Sequence, residues 1–147
     1  MSKTEPHSFD PLDYETIAAT VVDALLHEPL RSLAAVRPFG GAGIYALYYA
    51  GGFAAYAPVR LAEQEVPIYV GKAIPRGART GLDELDPQVG QVLCARLRQH
   101  AASIEQASKL VLADFQCRYL CVKHLWIPLA EQVLVRRFRP VWNTVLD

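Results

Sequence analysis

Two tyrosine-rich runs constrain this chain more than anything else in it. Gly43-Ile44-Tyr45-Ala46-Leu47-Tyr48-Tyr49 and Val66-Pro67-Ile68-Tyr69-Val70-Gly71 are dense in β-branched and aromatic residues, the types that suit a pleated strand. Period-two alternation sets Tyr45, Leu47 and Tyr49 on one face of the first strand and Ile44, Ala46 and Tyr48 on the other. It also sets Tyr69 against Ile68 and Val70. The connection between the runs, Ala50 to Glu65, is too long for a tight turn and reads as an ordered excursion beside the sheet. Gly40, Gly41 and Gly43 lack phosphate-loop spacing, and Lys72 follows a strand instead of opening a helix. They are read as a sharp approach to the first strand, not as a nucleotide cradle.

The other elements fall into place around these runs. Residues 1 to 13 are polar and proline-containing and read as a loose arm. Asp13 is placed to cap a helix from Tyr14 to His27, with Ile17, Val21, Ala24 and Leu25 as its apolar stripe and Pro29 beyond its end. Leu30 to Val36 reads as a further helical turn. A helix from Val89 to Ala101 buries Val92, Leu93 and Leu97, and sets Arg96 and His100, four apart, on a shared face. Ser103 with Gln106 resembles the start of a separate short helix. Asp114 to Lys123 alternates Phe115, Cys117, Tyr119 and Cys121 against Gln116, Arg118, Leu120 and Val122, a third strand. The last helix spans Pro128 to Phe138 on Leu129, Val133, Leu134 and Phe138. It carries Glu131 near its start and Arg136, Arg137 and Arg139 at its end, where the helix dipole favours cations.

With 147 residues, 52% of them hydrophobic, the chain can bury one substantial core. We expect residues 1–39 to form an arm and helix that pack on a main domain of residues 40–147. No apolar run reaches membrane-spanning length, and the N-terminus has no apolar signal core. The three cysteines, Cys94, Cys117 and Cys121, are odd in number and have no close ligand spacing. They fit small core residues in a reduced, cytoplasmic setting, and they argue against zinc. No serine sits in a nucleophile elbow. The net charge of zero divides unevenly. Six acids and one base occupy residues 1–30, leaving fourteen bases against nine acids in the remainder. A phosphate-facing surface on the main body is therefore permitted. The loop after Gly71 carries three bases, Lys72, Arg76 and Arg79, which suit backbone phosphate. The unusual polar groups are Tyr45, Tyr69, Lys72, Arg96, His100, Glu131 and Asn143: positive donors for a phosphate, a basic group for an attacking water and a carboxylate for a divalent cation. Composition and periodicity alone reach an intracellular α/β domain on which a phosphate-facing surface is permitted.

Gly43-Ile44-Tyr45 and Tyr69-Val70-Gly71 resemble the two words that name the GIY-YIG nuclease family. The order behind them strengthens the likeness: RLRQHAASIEQA with Arg96 and His100, then LADFQCRYLCV, then WIPLAEQVLVRRFRPVWN with Glu131 and Asn143. Together they are similar to the restriction-endonuclease branch of that family, the Eco29k-type enzymes, from about Gly40 to the end of the chain. The resemblance implies an α+β fold in which helices flank a small three-stranded antiparallel sheet. Tyr45 and Tyr69 would project into one cleft from adjacent strands, Arg96 and His100 would enter from the following helix, and Glu131 from the last long one. It further implies hydrolysis of DNA phosphodiesters with one divalent metal, Mg²⁺ or in its place Mn²⁺, leaving 5′-phosphate and 3′-hydroxyl.

Residue by residue, the resemblance casts Tyr45 as general base or relay, which requires help because a free phenol titrates near pH 10. Tyr69 would position the water or phosphate, and Arg96 would balance charge on the phosphoryl oxygens. His100 would bond Tyr45 or the phosphate, and Glu131 would ligate the metal. Asn143 would bond the phosphate or brace the cleft, Gly71 would allow close backbone approach, and Lys72 would contact phosphate. Double-stranded DNA is the expected partner, cut by a homodimer on a palindromic site. The chain stops four residues after Asn143, where enzymes of this branch continue, so a shortened protein with a complete catalytic set and weakened DNA binding is expected. Two alternatives accompany this reading. One is a catalytically impaired DNA-binding or assembly module on the same scaffold; the other is a nicking nuclease of repair or mobile-element type.

Overall fold

The computed structural model describes residue 9 and residues 13–52, 66–75 and 90–146. Strand β2, Gly43–Tyr49, occupies the run read as the first strand and is buried at all seven positions. It lies in a sheet of order β1-β4-β2-β3, in which β3 is Tyr69–Ala73, β4 is Phe115–Cys121 and β1 is the two-residue strand Arg31–Ser32. Every pairing is antiparallel. The expected mixed fold is present with one strand more than anticipated. Arg31 and Ser32 pair with Cys117 and Gln116, and only Leu33–Ala35 forms the expected turn of helix, as a 3-10 turn. A two-residue strand carries no periodicity of its own, so only its partner defines it.

Helices cover both faces of the sheet. Helix α2, Val92–Gln106, lies on the face of Tyr45, Leu47, Tyr69, Phe115 and Cys117. Helices α1, Tyr14–Leu26, and α3, Ile127–Phe138, pack together on the other, against Ile44, Ala46, Tyr48 and Val70. Both rows of β2 are therefore dry, and the alternation read from the sequence sorts them correctly. Ile68 departs from it: it precedes β3 in a bend and joins Tyr69 in the same cluster. Strand β3 also runs two residues beyond Gly71, so Lys72 lies within the strand instead of after it.

The helices are nearly as read. Helix α1 buries Ala18, Val22 and Leu25, one position round from the expected stripe, and Ala24 is exposed. Its sequence is apolar around much of its circumference, so contact with α3 and β4 selects the face. Asp13 stands at the N-cap position with φ 46°, but its carboxylate accepts from the Thr16 hydroxyl at 2.7 Å and caps no backbone N–H. Helix α2 runs unbroken to Gln106, because Ala101 and Ile104 continue the buried stripe of Leu93 and Leu97 past the supposed new start at Ser103. Its N-terminus is docked to Gly41, which receives Leu93 N–H and donates to the Gly90 carbonyl. The φ of +124° at Gly41 restricts that position to glycine. Arg139, at φ 42°, ends α3, and Pro140 leads into a short helix, α4, Val141–Leu146, where none was expected. None of the described helices is long and apolar enough to cross a membrane.

Candidate active site

Register brings the two motif tyrosines together. Tyr45 pairs with Gly71 across β2 and β3, and Leu47 pairs with Tyr69, so both phenols rise from one face on adjacent strands. Their ring centroids are 6.0 Å apart. A Cβ added at Gly71 would stand 2.5 Å from the Tyr45 hydroxyl oxygen and 2.7 Å from Cζ, so the phenol lies directly over the glycine backbone. The glycine of the second run is there to make room for the tyrosine of the first.

Helix α2 supplies the partners from above. The Tyr45 hydroxyl and His100 Nε2 are 2.7 Å apart, and the His100 ring lies 5.4 Å from that of Tyr45 and 4.9 Å from that of Tyr69. One helical turn earlier, the Arg96 guanidinium bears on the hydroxyls of both tyrosines. Its Nη1 also donates to Gln99 Oε1 at 3.3 Å, an orienting contact the sequence reading missed although i, i+3 spacing signals it. Burial, then Tyr69, push the Tyr45 phenol well above its ordinary range, against the opposing pull of Arg96. Burial, then the charge of Arg96, push His100 down to about 4. Hydrogen bonding to Tyr45 raises Arg96 further, which makes it a permanent cation.

At neutral pH the site therefore holds a protonated phenol, a neutral imidazole and a guanidinium. In the Nδ1–H tautomer, the Tyr45 hydroxyl donates to His100 Nε2. Tyr45 shows 0% exposure and Tyr69 7%, while His100 is half-buried and Arg96 exposed. The Tyr45 phenol is therefore shielded from bulk water.

The other two expected catalytic residues are tied to strand β3 instead of to this cluster. Glu131 comes from α3, on the opposite face, and its Oε1 accepts from Lys72 Nζ at 2.6 Å, with side-chain exposures of 23% and 39%. Lys72 pairs with Ile44 in register, one position along from the Tyr45–Gly71 pair. Asn143, on α4, adopts the bracing role of the two expected. Its Oδ1 accepts from Val70 N–H and its Nδ2 donates to the Val70 carbonyl, each at 2.8 Å. The Trp142 N–H donates to the Ile68 carbonyl at 3.0 Å. Helix α4 thus extends the hydrogen bonding of β3 along the edge away from β2, with a side-chain amide standing in for a peptide. Arg76 and Arg79 lie outside the described residues, as does most of the Ala50 to Glu65 excursion.

The described residues contain no group of three or more His, Cys, Asp or Glu able to hold a metal ion. The donor chemistry suits a hard cation that takes a single protein carboxylate and completes its shell with water and phosphate oxygen, as Mg²⁺ does. Glu131 of α3, partly exposed beside Lys72, is a carboxylate of the kind such a cation takes.

Comparison with known families agrees with this geometry. The family model described as the Eco29kI GIY-YIG domain matches residues 37–147, which include both tyrosine runs, Arg96, His100, Glu131 and Asn143. No curated protein matches the chain. Nucleases of the GIY-YIG type generally use a divalent metal and act on DNA. With three-quarters of its length matched and the motif tyrosines paired across adjacent strands, the chain belongs to the GIY-YIG restriction-endonuclease family, as an Eco29kI-type GIY-YIG domain.

Proposed function

We propose that this protein is a divalent-metal-dependent, sequence-specific endonuclease of type II restriction kind, which hydrolyses double-stranded DNA to 5′-phosphate and 3′-hydroxyl ends. The observation that carries the reading is the Tyr45–His100 contact of 2.7 Å beneath the Arg96 guanidinium. A phenol with a raised pKa is a poor base by itself. Joined to a neutral imidazole, it can receive a proton from water as it passes its own to His100 Nε2. Water oxygen then bonds to phosphorus, the bond from phosphorus to O3′ breaks, and O3′ takes a proton from solvent. Arg96 is placed to balance charge on the non-bridging oxygens, and Tyr69, the tyrosine with some exposure, to orient water or phosphate. A bound Mg²⁺, or Mn²⁺ in its place, would neutralise phosphate charge at Glu131. Lys72, adjacent to that carboxylate, is available to phosphate once the cation binds. A homodimer suits cutting both strands of a palindrome.

Supercoiled plasmid incubated with Mg²⁺ tests the reading. The unmutated chain should give discrete fragments with one recurrent palindromic cut. Tyr45→Phe should lose about 10²-fold or more in rate, and Glu131→Ala should be inactive. Tight DNA binding without cutting under every metal and substrate would leave a binding module. Cuts that follow lesions or branched structures would indicate a repair-type nickase.

A further inference from the structure

A second basic site lies on the same sheet face as Tyr45, two strands away. A cavity of about 370 Å³ opens between strand β1 and the segment leading to β2, lined by Arg31, Ser32, Arg37, Phe39 and Tyr119 among others. Both arginines are exposed, and no carboxylate lines the cavity among the described residues. Neither guanidinium forms an ion pair with a described carboxylate. The walls are held in place. The Phe39 and Tyr119 rings stack with centroids 4.4 Å apart and planes 10° apart, and the Arg31 guanidinium lies 5.6 Å from the Tyr119 centroid. The Arg37 carbonyl accepts from Cys94 Sγ of helix α2, which ties the loop to the helix that carries Arg96 and His100.

We propose that this cavity binds a backbone phosphate of the DNA strand being cut, with Arg31 and Arg37 as its cationic donors. The inference rests on the nuclease reading above and adds a contact site to it. Two guanidiniums in a cavity with no carboxylate among its described lining residues present forked N–H donors that match phosphate oxygens, and cation–π contact with Tyr119 pre-orients one of them. The spacing also suits DNA. Tyr45 pairs with Tyr119 and Arg31 with Cys117, so Arg31 is two strands across and two residues along from Tyr45. That offset is about 10 Å by 7 Å, or about 12 Å between backbones. Successive phosphates wind round the duplex as well as rising about 3.4 Å each along its axis, so the two sites lie about two nucleotides apart on one strand.

The test is the salt dependence of binding to a duplex by fluorescence anisotropy, with Ca²⁺ replacing Mg²⁺ so that the DNA stays intact. For Arg31→Ala/Arg37→Ala, the slope of log K against log[salt] should become shallower by about 0.9, the value for one phosphate, with affinity lower at physiological salt. Arg31→Lys/Arg37→Lys should recover most of the slope. Arg136→Ala, an exposed cation on α3 across the sheet, should leave it unchanged. Circular dichroism melts verify folding of each variant. A slope unchanged in the double alanine variant, or reduced equally by Arg136→Ala, would overturn the phosphate site while leaving the nuclease reading intact. A wild-type chain that neither binds nor cuts DNA would overturn both.

Discussion

Replacing Asn143 with leucine separates the two roles its position permits. In the folded chain both Val70 backbone groups are satisfied by the Asn143 amide, at 2.8 Å each, in a buried setting. Leucine has the same branched heavy-atom skeleton but offers neither donor nor acceptor, and its bulkier methyl groups keep out the water that a smaller residue would admit. Orphaning one buried N–H and one buried carbonyl costs about 1–3 kcal/mol apiece, so a total loss of about 2–6 kcal/mol is expected. For a domain of this size that lowers Tm by about 6–20 °C. Val70 lies between Tyr69 and Gly71, so strand β3 should loosen where the site is built, and amide exchange at Val70 should quicken by a matching factor. Differential scanning calorimetry and hydrogen exchange read both effects. Asn143→Asp should also destabilise, because it places a carboxylate oxygen against the Val70 carbonyl. A leucine variant that melts within 1 °C of wild type, keeps Val70 protected and still loses cleavage would refute the brace and move Asn143 to the phosphate.

Three further outcomes are expected. His100, held at about 4 in the folded chain against about 6.5 when unfolded, binds fewer protons folded than unfolded between those values. Its contribution to stability is therefore present above pH 6.5 and is lost as pH falls toward 4. After discounting for partial exposure, the loss is about 1–2 kcal/mol, and urea titrations of His100→Gln should show that pH dependence removed. Gly71→Ala forces a methyl into the Tyr45 ring and should cost about 1–3 kcal/mol with displacement of the phenol; a denaturation midpoint equal to wild type would contradict the close approach. Glu131→Gln should abolish Mn²⁺ binding measured by electron paramagnetic resonance, yet shift stability by no more than about 1 kcal/mol because its pair with Lys72 is partly exposed. Unchanged Mn²⁺ affinity would remove Glu131 from the metal site.

The sequence by itself determined the elements that depend on local pattern. Seven consecutive strand-forming residues sufficed for β2, and spacing by four sufficed to put Arg96 and His100 on one face of α2. The motif order was enough for the family, because both tyrosine runs and the later residues stand in one linear sequence. What tertiary structure decided are the partnerships between elements far apart in the chain. Strand β1 exists only through its register with β4, and α1 turned its stripe to meet α3. Asn143 became a brace because α4 lands on the outer edge of β3, and Glu131 met Lys72 because α3 crosses the same strand. Such pairings form when distant segments close over the sheet, and their energies belong to neither segment alone. Periodicity therefore supplied the two tyrosines, and the antiparallel register, with glycine opposite Tyr45, made them one site.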